Sequence, residues 1–219
     1  MDRVVLLFTK PAVPGRVKTR LIGELTGAEA AALHQAFLED VLGNLAAGDF
    51  RLELRWAVDD GEEPPPLGLP AARQEGRDLG ERLHRALAVA AAGGALVAAV
   101  GSDHPEIPAS RVEEAFAALE EGADVALGPA DDGGYYLVAL RPGAVRRELF
   151  ADIPWSTPAV LAETVRRAAA AGLAVRLLPP GRDVDTPADL AALTARLVAG
   201  EADCPATERL LASWGRLTP

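Results

Sequence analysis

A chain of 219 residues can bury one sizeable hydrophobic core, and we expect a single domain over residues 1–219. Its 49% hydrophobic and 25% charged residues are typical of a globular protein that is neither disordered nor membrane-spanning. A formal charge of -10 and a pI near 4.8 argue against nucleic acid and anionic membranes as partners, because both require an extended basic surface.

The longest apolar runs, such as 86–92 and 95–100, are too short to cross a bilayer. The amino-terminal region does not resemble a secretory signal, and we therefore expect a cytoplasmic protein. Cys204 is the only cysteine, which excludes an intramolecular disulfide and a Cys-based zinc site. We expect it to be a small buried residue near the last helix.

Strands and helices are predicted to alternate along almost the whole chain. The continuous apolar run at 4–9 is typical of a buried strand in a parallel sheet, and 59–70 reads as an exposed loop. Further strands are predicted at 51–58, 71–75, 95–100, 124–127, 136–140 and 174–178, and helices are predicted to end near 45, 93 and 121, to follow 157 and 186, and to cover 207–214. This alternation predicts a three-layer α/β/α sandwich with a mostly parallel sheet.

Four short motifs mark where helices should begin. Thr26 to Glu29 and Ser110 to Glu113 have the spacing of capping boxes. Thr157-Pro158 and Thr186-Pro187 each place a threonine at the N-cap and a proline at the first helical position.

The loop after the first strand carries an unusual concentration of positive charge. In this basic loop, residues 10–20, the cations Arg16, Lys18 and Arg20 alternate after the Pro14-Gly15 turn, and Lys10 precedes them. Neither a Walker loop nor a Gly-x-Gly-x-x-Gly motif is present, which argues against kinase-type and dinucleotide-binding functions. The loop could bind a di- or triphosphate, or its arginines could be solvated charges that pair with surface carboxylates.

Carboxylates follow two predicted strands. Asp103 comes directly after the strand at 95–100, at the same sheet edge as the basic loop if the strands are parallel. It is suited to hold Mg²⁺ or Mn²⁺, or it caps a turn. Asp183 and Asp185 lie before a helix start, where one of them could be a second metal ligand or both could serve the helix N-terminus. His104 is predicted to be an ordinary loop residue.

A second group of candidates could contact a substrate. The run 131–136, Asp-Asp-Gly-Gly-Tyr-Tyr, suits a tight turn into a strand, but Gly133 and Gly134 would also let the backbone approach a sugar or acceptor. Asp132 or Tyr135 could then make hydrogen bonds to it. Trp155 could stack on a ring or pack beneath the following helix. We assign no role to the helical histidines, at 34 and 84.

Taken together, six ordered blocks resemble a glycosyltransferase-like family of bacterial proteins long classed as a domain of unknown function, some members of which are linked to arsenosugar biosynthesis. That family is similar in fold to the nucleotide-diphospho-sugar transferases of glycosyltransferase A type. The resemblance covers nearly the whole chain and rests on the blocks Lys10–Leu21, Gly80–Leu83, Gly101–Pro105, Gly128–Tyr136, Pro154–Thr157 and Asp183–Pro187.

The resemblance implies a nucleotide bound over the basic loop, with Lys10, Gly15, Arg16, Lys18 and Arg20 as its contacts. It implies a divalent metal on the carboxylate of the Gly-Ser-Asp block and on the Asp before Thr-Pro, which here are residues 103 and 185. The family often has Cys in the position of the histidine at 104, so that side chain is given no required role.

The leading hypothesis is a metal-dependent transferase that moves a sugar from a nucleotide sugar to a small acceptor. Lys18, Asp103 and Asp132 are the candidate catalytic residues, and Mg²⁺ or Mn²⁺ is the expected cofactor. Nucleotidyl transfer from a nucleoside triphosphate to a phosphorylated small molecule, with pyrophosphate release, is the alternative, and the basic loop favours it somewhat because three cations suit a triphosphate. A non-catalytic nucleotide-sensing module is a third. The absence of a Gly-x-Ser-x-Gly elbow argues against covalent hydrolase chemistry.

Overall fold

A seven-stranded sheet forms the centre of the computed structural model, which describes residues 1–59 and 61–217. The strand order is β3-β2-β1-β4-β6-β5-β7, and every neighbouring pair is parallel except the two that involve β6. The strands are β1 (Arg3–Thr9), β2 (Arg51–Trp56), β3 (Ala71–Arg73), β4 (Leu96–Gly101), β5 (Val125–Pro129), β6 (Tyr135–Leu140) and β7 (Val175–Leu177). The predicted mostly parallel sheet is confirmed.

Helices cover both faces of this sheet, which confirms the α/β/α sandwich. The helices are α1 (Gly27–Leu45), α2 (Leu79–Ala91), α3 (Ala109–Glu120), α4 (Val160–Ala170), α5 (Pro187–Val198) and α6 (Pro205–Ser213). One face of the sheet packs on α1 and α3, the other on α2 and α4, and both faces bury long aliphatic side chains. A separate apolar cluster joins α1 to α5 and α6 beyond the sheet.

Two predicted helix starts are confirmed in detail. The Thr26 side chain accepts a hydrogen bond from the Glu29 backbone N–H, and the Glu29 carboxylate accepts one from the Thr26 N–H at 2.7 Å. Thr186 and Asp189 form the same reciprocal pair at the start of α5, with Pro187 at the first helical position. Each box satisfies backbone donors that have no partner within the helix.

Two predicted helix starts are wrong. Helix α3 begins one residue before Ser110, so this serine lies inside the first turn, and Pro108 occupies the N-cap without a side-chain hydrogen bond. The Thr157 hydroxyl instead donates to the Pro154 carbonyl at 2.7 Å and closes a turn, so Pro158 lies outside α4, which begins at Val160. At Thr157 a competing turn thus displaces the helix start, whereas at α3 the helix begins before the predicted N-cap.

Residues 61–70 form a mostly exposed connection, as predicted, while Asp60 of that predicted loop lies outside the described residues. Cys204 is fully buried beside α6, as expected. No helix in the described part of the chain is long and apolar enough to cross a membrane.

Candidate nucleotide and metal site

A cavity of about 540 Å³ opens where β1 and β4 end, at the carboxyl edge of the sheet. Open α/β folds bind their ligands at this edge. Most of the predicted site residues line the cavity, namely Lys10, Arg16, Lys18, Arg20, Asp103, Asp132, Gly134, Tyr135, Trp155 and Asp185. Gly15 and Gly133 are not among the lining residues, although each lies in a turn next to one.

Lys18 is the buried centre of this cavity, with 2% of its side chain exposed. Its Nζ is ion-paired with Asp103, lies 3.1 Å from Asp185 Oδ1 and donates to the Val184 carbonyl at 2.8 Å. The same ammonium lies 5.2 Å from the centre of the Phe37 ring. One side chain thus joins the basic loop to the end of β4 and to the segment before α5.

The backbone at Lys18 is left-handed, with φ 47 and ψ 39, a conformation that residues other than glycine rarely adopt. Burial opposes the charge of this ammonium, but Asp103 and Asp185 raise its pKa above the ordinary lysine value. Burial likewise opposes ionisation of Asp103, and Lys18 nevertheless lowers the pKa of that carboxyl. The pair is therefore charged on both sides at neutral pH.

The other cations of the basic loop lie nearer to the solvent. Arg16 is ion-paired with Asp59, in agreement with the interpretation that the arginines of the loop pair with surface carboxylates. It also lines the cavity. Arg20 has 63% of its side chain exposed and lies 3.8 Å from Asp185. Lys10 is exposed at the cavity wall. The three alternating cations therefore have different environments.

A third carboxylate lies beside the Lys18 pair. Burial, followed by the charges of Asp103 and Asp185, raises the pKa of Asp183 to about 7. The single Lys18 ammonium thus lies among three carboxylates whose negative charges repel one another. The sequence analysis considered Asp183 only as an alternative metal ligand to Asp185. The local sequence does not show that the segment after β4 and the segment before α5 lie side by side in the folded chain.

The donor chemistry here fits a divalent cation. Carboxylate oxygens are the ligands that Mg²⁺ and Mn²⁺ prefer, and Asp103 keeps 46% of its side chain exposed to the cavity. The excess negative charge around Asp183 points the same way. Within residues 1–59 and 61–217, however, no three His, Cys, Asp or Glu side chains are grouped as a ready-made metal site, and Lys18 already contacts an oxygen of both Asp103 and Asp185.

The Asp-Gly-Gly sequence forms the turn between β5 and β6, which confirms its structural interpretation. Asp132 Oδ1 accepts a hydrogen bond from the Gly134 N–H at 2.8 Å, and this bond fixes the carboxylate at the cavity wall. Gly133 has φ 87, and a Cβ there would collide with the Pro158 backbone. The glycine is therefore needed for packing against the segment before α4.

Trp155 and Tyr135 form an aromatic wall of the cavity. Their rings meet edge to face, with centroids 6.2 Å apart. The indole nitrogen of Trp155 lies against Gly80, where any side chain would collide with it. Burial raises the pKa of the Tyr135 hydroxyl, so it stays protonated. Trp155 therefore packs against Gly80 and Tyr135, in line with the packing interpretation, and also faces the cavity.

Two histidines behave differently from one another. His34, which was given no role, lines the cavity, and its Nε2 lies 3.0 Å from the Lys10 carbonyl oxygen. His104 is buried, stacks on Tyr136 at 4.9 Å, and accepts a hydrogen bond from the Arg182 N–H. Burial lowers the pKa of His104 to about 4, so it is a neutral structural residue. His104 was predicted to be an ordinary loop residue, and the structure shows that it is also buried and hydrogen-bonded.

Two other lining residues were missed by the sequence analysis. Gln74 donates to the carbonyls of Thr9 and Arg55, and Arg82 donates to that of Gly76. They come from the end of β3 and from α2, far from the basic loop in sequence. Gln74 lies in no motif of the sequence, and Arg82 lies in the Gly80–Leu83 block but was given no role there.

This sheet order and cavity define the chain as a protein of the nucleotide-diphospho-sugar transferase fold. A protein of Desulfovibrio desulfuricans G20 described as a "putative nucleotide-diphospho-sugar transferase" superposes with a TM-score of 0.87 at 35% identity, covering 99% of this chain and 97% of its own. Residues 28–157 match the family described as "Uncharacterized protein conserved in bacteria (DUF2064)", and the chain belongs to that family.

More distant structures share the fold alone. CMP:2-keto-3-deoxy-manno-octonic acid synthetase, solved with CTP, has a TM-score of 0.56 at 14% identity and covers 91% of this chain and 100% of its own. The 2-C-methyl-D-erythritol 4-phosphate cytidylyltransferase of Thermus thermophilus has a TM-score of 0.53 at 21% identity, covering 89% of this chain and 98% of its own. Among curated proteins, none matches this chain.

Proposed function

We propose that this protein is a metal-dependent transferase that moves a sugar from a nucleotide sugar to the hydroxyl of a small acceptor. The observation that carries the proposal is the cavity at the ends of β1 and β4, where a cationic loop faces a group of carboxylates. Cations bind phosphate oxygens, and carboxylates hold the metal that accompanies them. The 35% identical neighbour, which carries the name of a nucleotide-sugar transferase, supports the same class.

The distribution of charge favours a diphosphate over a triphosphate. All three alternating cations already have carboxylate partners: Lys18 contacts Asp103 and Asp185, Arg16 contacts Asp59, and Arg20 lies 3.8 Å from Asp185. Lys10 and Arg20 are the more exposed cations of the loop. A nucleotide sugar needs fewer cations than a nucleoside triphosphate, because its diphosphate is esterified at both ends.

In the proposed reaction, the acceptor hydroxyl oxygen bonds to the anomeric carbon of the sugar. The bond from that carbon to the diphosphate oxygen breaks, and the nucleoside diphosphate leaves with its electron pair while the hydroxyl gives its proton to the Asp132 carboxylate at the cavity wall. The basic loop stabilises the charge that develops on the diphosphate. Asp132 and the aromatic wall of Tyr135 and Trp155 orient the sugar or the acceptor.

Asp103 and Asp185 would hold the Mg²⁺ or Mn²⁺ ion. When bound, the ion supplies charge neutralisation at the leaving diphosphate. The remaining contributions come from the chain itself: the cations of the basic loop bind the phosphates, and the turn before β6 positions Asp132.

A ligand panel tests the proposal. Calorimetric titrations with Mg²⁺ should show tighter binding of nucleoside diphosphates and nucleotide sugars than of triphosphates. Turnover with an acceptor panel should release a nucleoside diphosphate. Because some members of the family that this chain resembles are linked to arsenosugar biosynthesis, the panel should contain arsenic-bearing hydroxy compounds. Preferred triphosphate binding with pyrophosphate release would replace this proposal with nucleotidyl transfer, and binding without any turnover would replace it with a sensor.

A further inference from the structure

The position of Lys18 has a consequence for how a metal could reach its carboxylates. The ammonium contacts Oδ1 of Asp103 and lies 3.1 Å from Oδ1 of Asp185. It therefore already bridges the two side chains that would hold the ion. A divalent cation bridging the same oxygens would meet a positive charge within contact distance, and this repulsion is strong in a partly desolvated site.

Lys18 is held in place by more than its ion pairs. Its Nζ donates to the Val184 carbonyl at 2.8 Å, and the ammonium lies over the ring of Phe37. The side chain is almost fully buried, and the backbone adopts a left-handed conformation at this residue. Backbone strain of this kind persists only where surrounding contacts enforce it, and it is concentrated at functional sites.

We infer that Lys18 is the resident cation of the Asp103–Asp185 pair and that a divalent ion enters between these carboxylates only by displacing the ammonium. This inference rests on the proposed function for the location of the metal. Phosphate oxygens would give the displaced ammonium a new partner, whereas a bare metal ion offers none. The metal consequently enters together with the nucleotide, and the chain alone binds divalent ions weakly.

A substitution that removes the ammonium tests this directly. In Lys18→Met, a flexible apolar side chain can remain against Phe37, and the two carboxylates lose their cation. Calorimetry with Mn²⁺ alone, at low ionic strength and without nucleotide, should show an affinity at least about tenfold higher than that of the wild type, because charge repulsion is removed.

The chain provides a matched control. Lys10 is the only other lysine, lines the same cavity and has no ion pair with Asp103 or Asp185 among the described contacts. Lys10→Met changes the net charge by the same amount and should change Mn²⁺ affinity by less than about threefold, because Lys10 is exposed and its charge acts on Asp103 only weakly through water. Adding Asp103→Asn to Lys18→Met should abolish the gain.

If Lys18→Met does not fold, Lys18→Gln replaces it, because its amide can still donate to the Val184 carbonyl. Circular dichroism confirms folding before titration. Unchanged or weaker Mn²⁺ binding in the folded Lys18 variant would overturn the inference, as would a gain that persists without Asp103. Since no nucleotide or turnover is involved, such a failure is separate from failure of the proposed transferase activity.

Discussion

Two buried charges, Lys18 in the cavity and Asp40 on α1, are satisfied in different ways. Asp40 accepts hydrogen bonds from the backbone N–H groups of Ala206 and Thr207 and from the Thr207 hydroxyl, at 2.6 to 2.9 Å. All three donors belong to the first turn of α6. Lys18 instead contacts carboxylates from two separate segments, which remain 46% and 36% exposed.

The difference indicates which of these charges serves function. The hydrogen bonds from the start of α6 to Asp40 are buried, so Asp40 fixes α6 against α1 and has a structural role. The partly exposed carboxylates of Asp103 and Asp185 can exchange the Lys18 ammonium for a metal ion, and the ammonium can then bind a phosphate. The surroundings of Lys18 are thus suited to binding, and those of Asp40 to stability.

The largest expected effect concerns the cavity. Asp103→Asn should lower metal-dependent turnover by about a hundredfold or more, because a carboxylate that would hold the charge-neutralising metal ion is lost. Circular dichroism should show an intact fold with a lower melting temperature, because the buried Lys18 keeps only Asp185 as an ion-pair partner. The control is Asp131→Asn, which alters an exposed neighbour outside the lining of the cavity. Equal activity of the two variants would refute the role of Asp103.

The reverse pattern is expected for the structural charge. Asp40→Ala leaves buried donors of α6 without a partner and should lower the free energy of unfolding by about 3 kcal/mol in urea denaturation. Nucleotide affinity of the folded fraction should be unchanged. Glu39→Ala, at the exposed neighbouring position of the same helix, should have little effect. A nucleotide-binding defect in folded Asp40→Ala would contradict the purely structural role of Asp40.

A pH effect tests the buried histidine beside the site. The pKa of His104 is lowered to about 4, whereas an unfolded histidine titrates near its ordinary value of 6.5. The unfolded state therefore binds the proton first as the pH falls from 6.5 to 4, and His104 should cost up to about 3 kcal/mol of stability at acid pH. Denaturation of His104→Gln at pH 7 and pH 4.5 measures this cost.

The stability of His104→Gln relative to the wild type should rise on acidification. The comparison with the wild type is needed because Asp183, with its pKa raised to about 7, makes the folded state more stable as the pH falls, which is opposite to the effect of His104. A constant stability difference across the two pH values would show that His104 titrates in the folded protein as it does in the unfolded one.

The smallest effect is expected at the surface of the basic loop. Arg16 is half exposed and paired with Asp59, so Arg16→Gln should weaken nucleoside diphosphate binding by only about threefold at low salt. Raising the salt concentration should remove most of this difference. Titrations at two NaCl concentrations measure it, and a large salt-independent loss would make Arg16 a direct phosphate ligand.

The features that depend on local sequence were predicted well. The apolar β1 run, the capping box at Thr26, the Thr-Pro helix start at Thr186, and the Asp-Gly-Gly turn each have signals within a few residues. The wrong start at Ser110 shows the limit of the same method, because the N-cap is Pro108, two residues earlier.

What could not be predicted is the pairing between distant segments. The sequence presents Arg16, Lys18 and Arg20 as three similar cations, and only the folded chain buries the middle one between Asp103 and Asp185. Their separations of 85 and 167 positions leave no local pattern that would indicate contact. The role of these residues in catalysis stays a prediction.

Selective isotope labelling of lysine tests the central claim most directly, because Lys10 and Lys18 are the only lysines and each gives its own side-chain NMR signal. Titration with a nucleoside diphosphate and Mg²⁺ should shift the Lys18 signal as its ammonium leaves Asp103 for phosphate. The shift should follow the calorimetric binding curve. Saturation of the protein with nucleotide while the Lys18 signal stays unchanged would contradict a nucleotide site in this cavity.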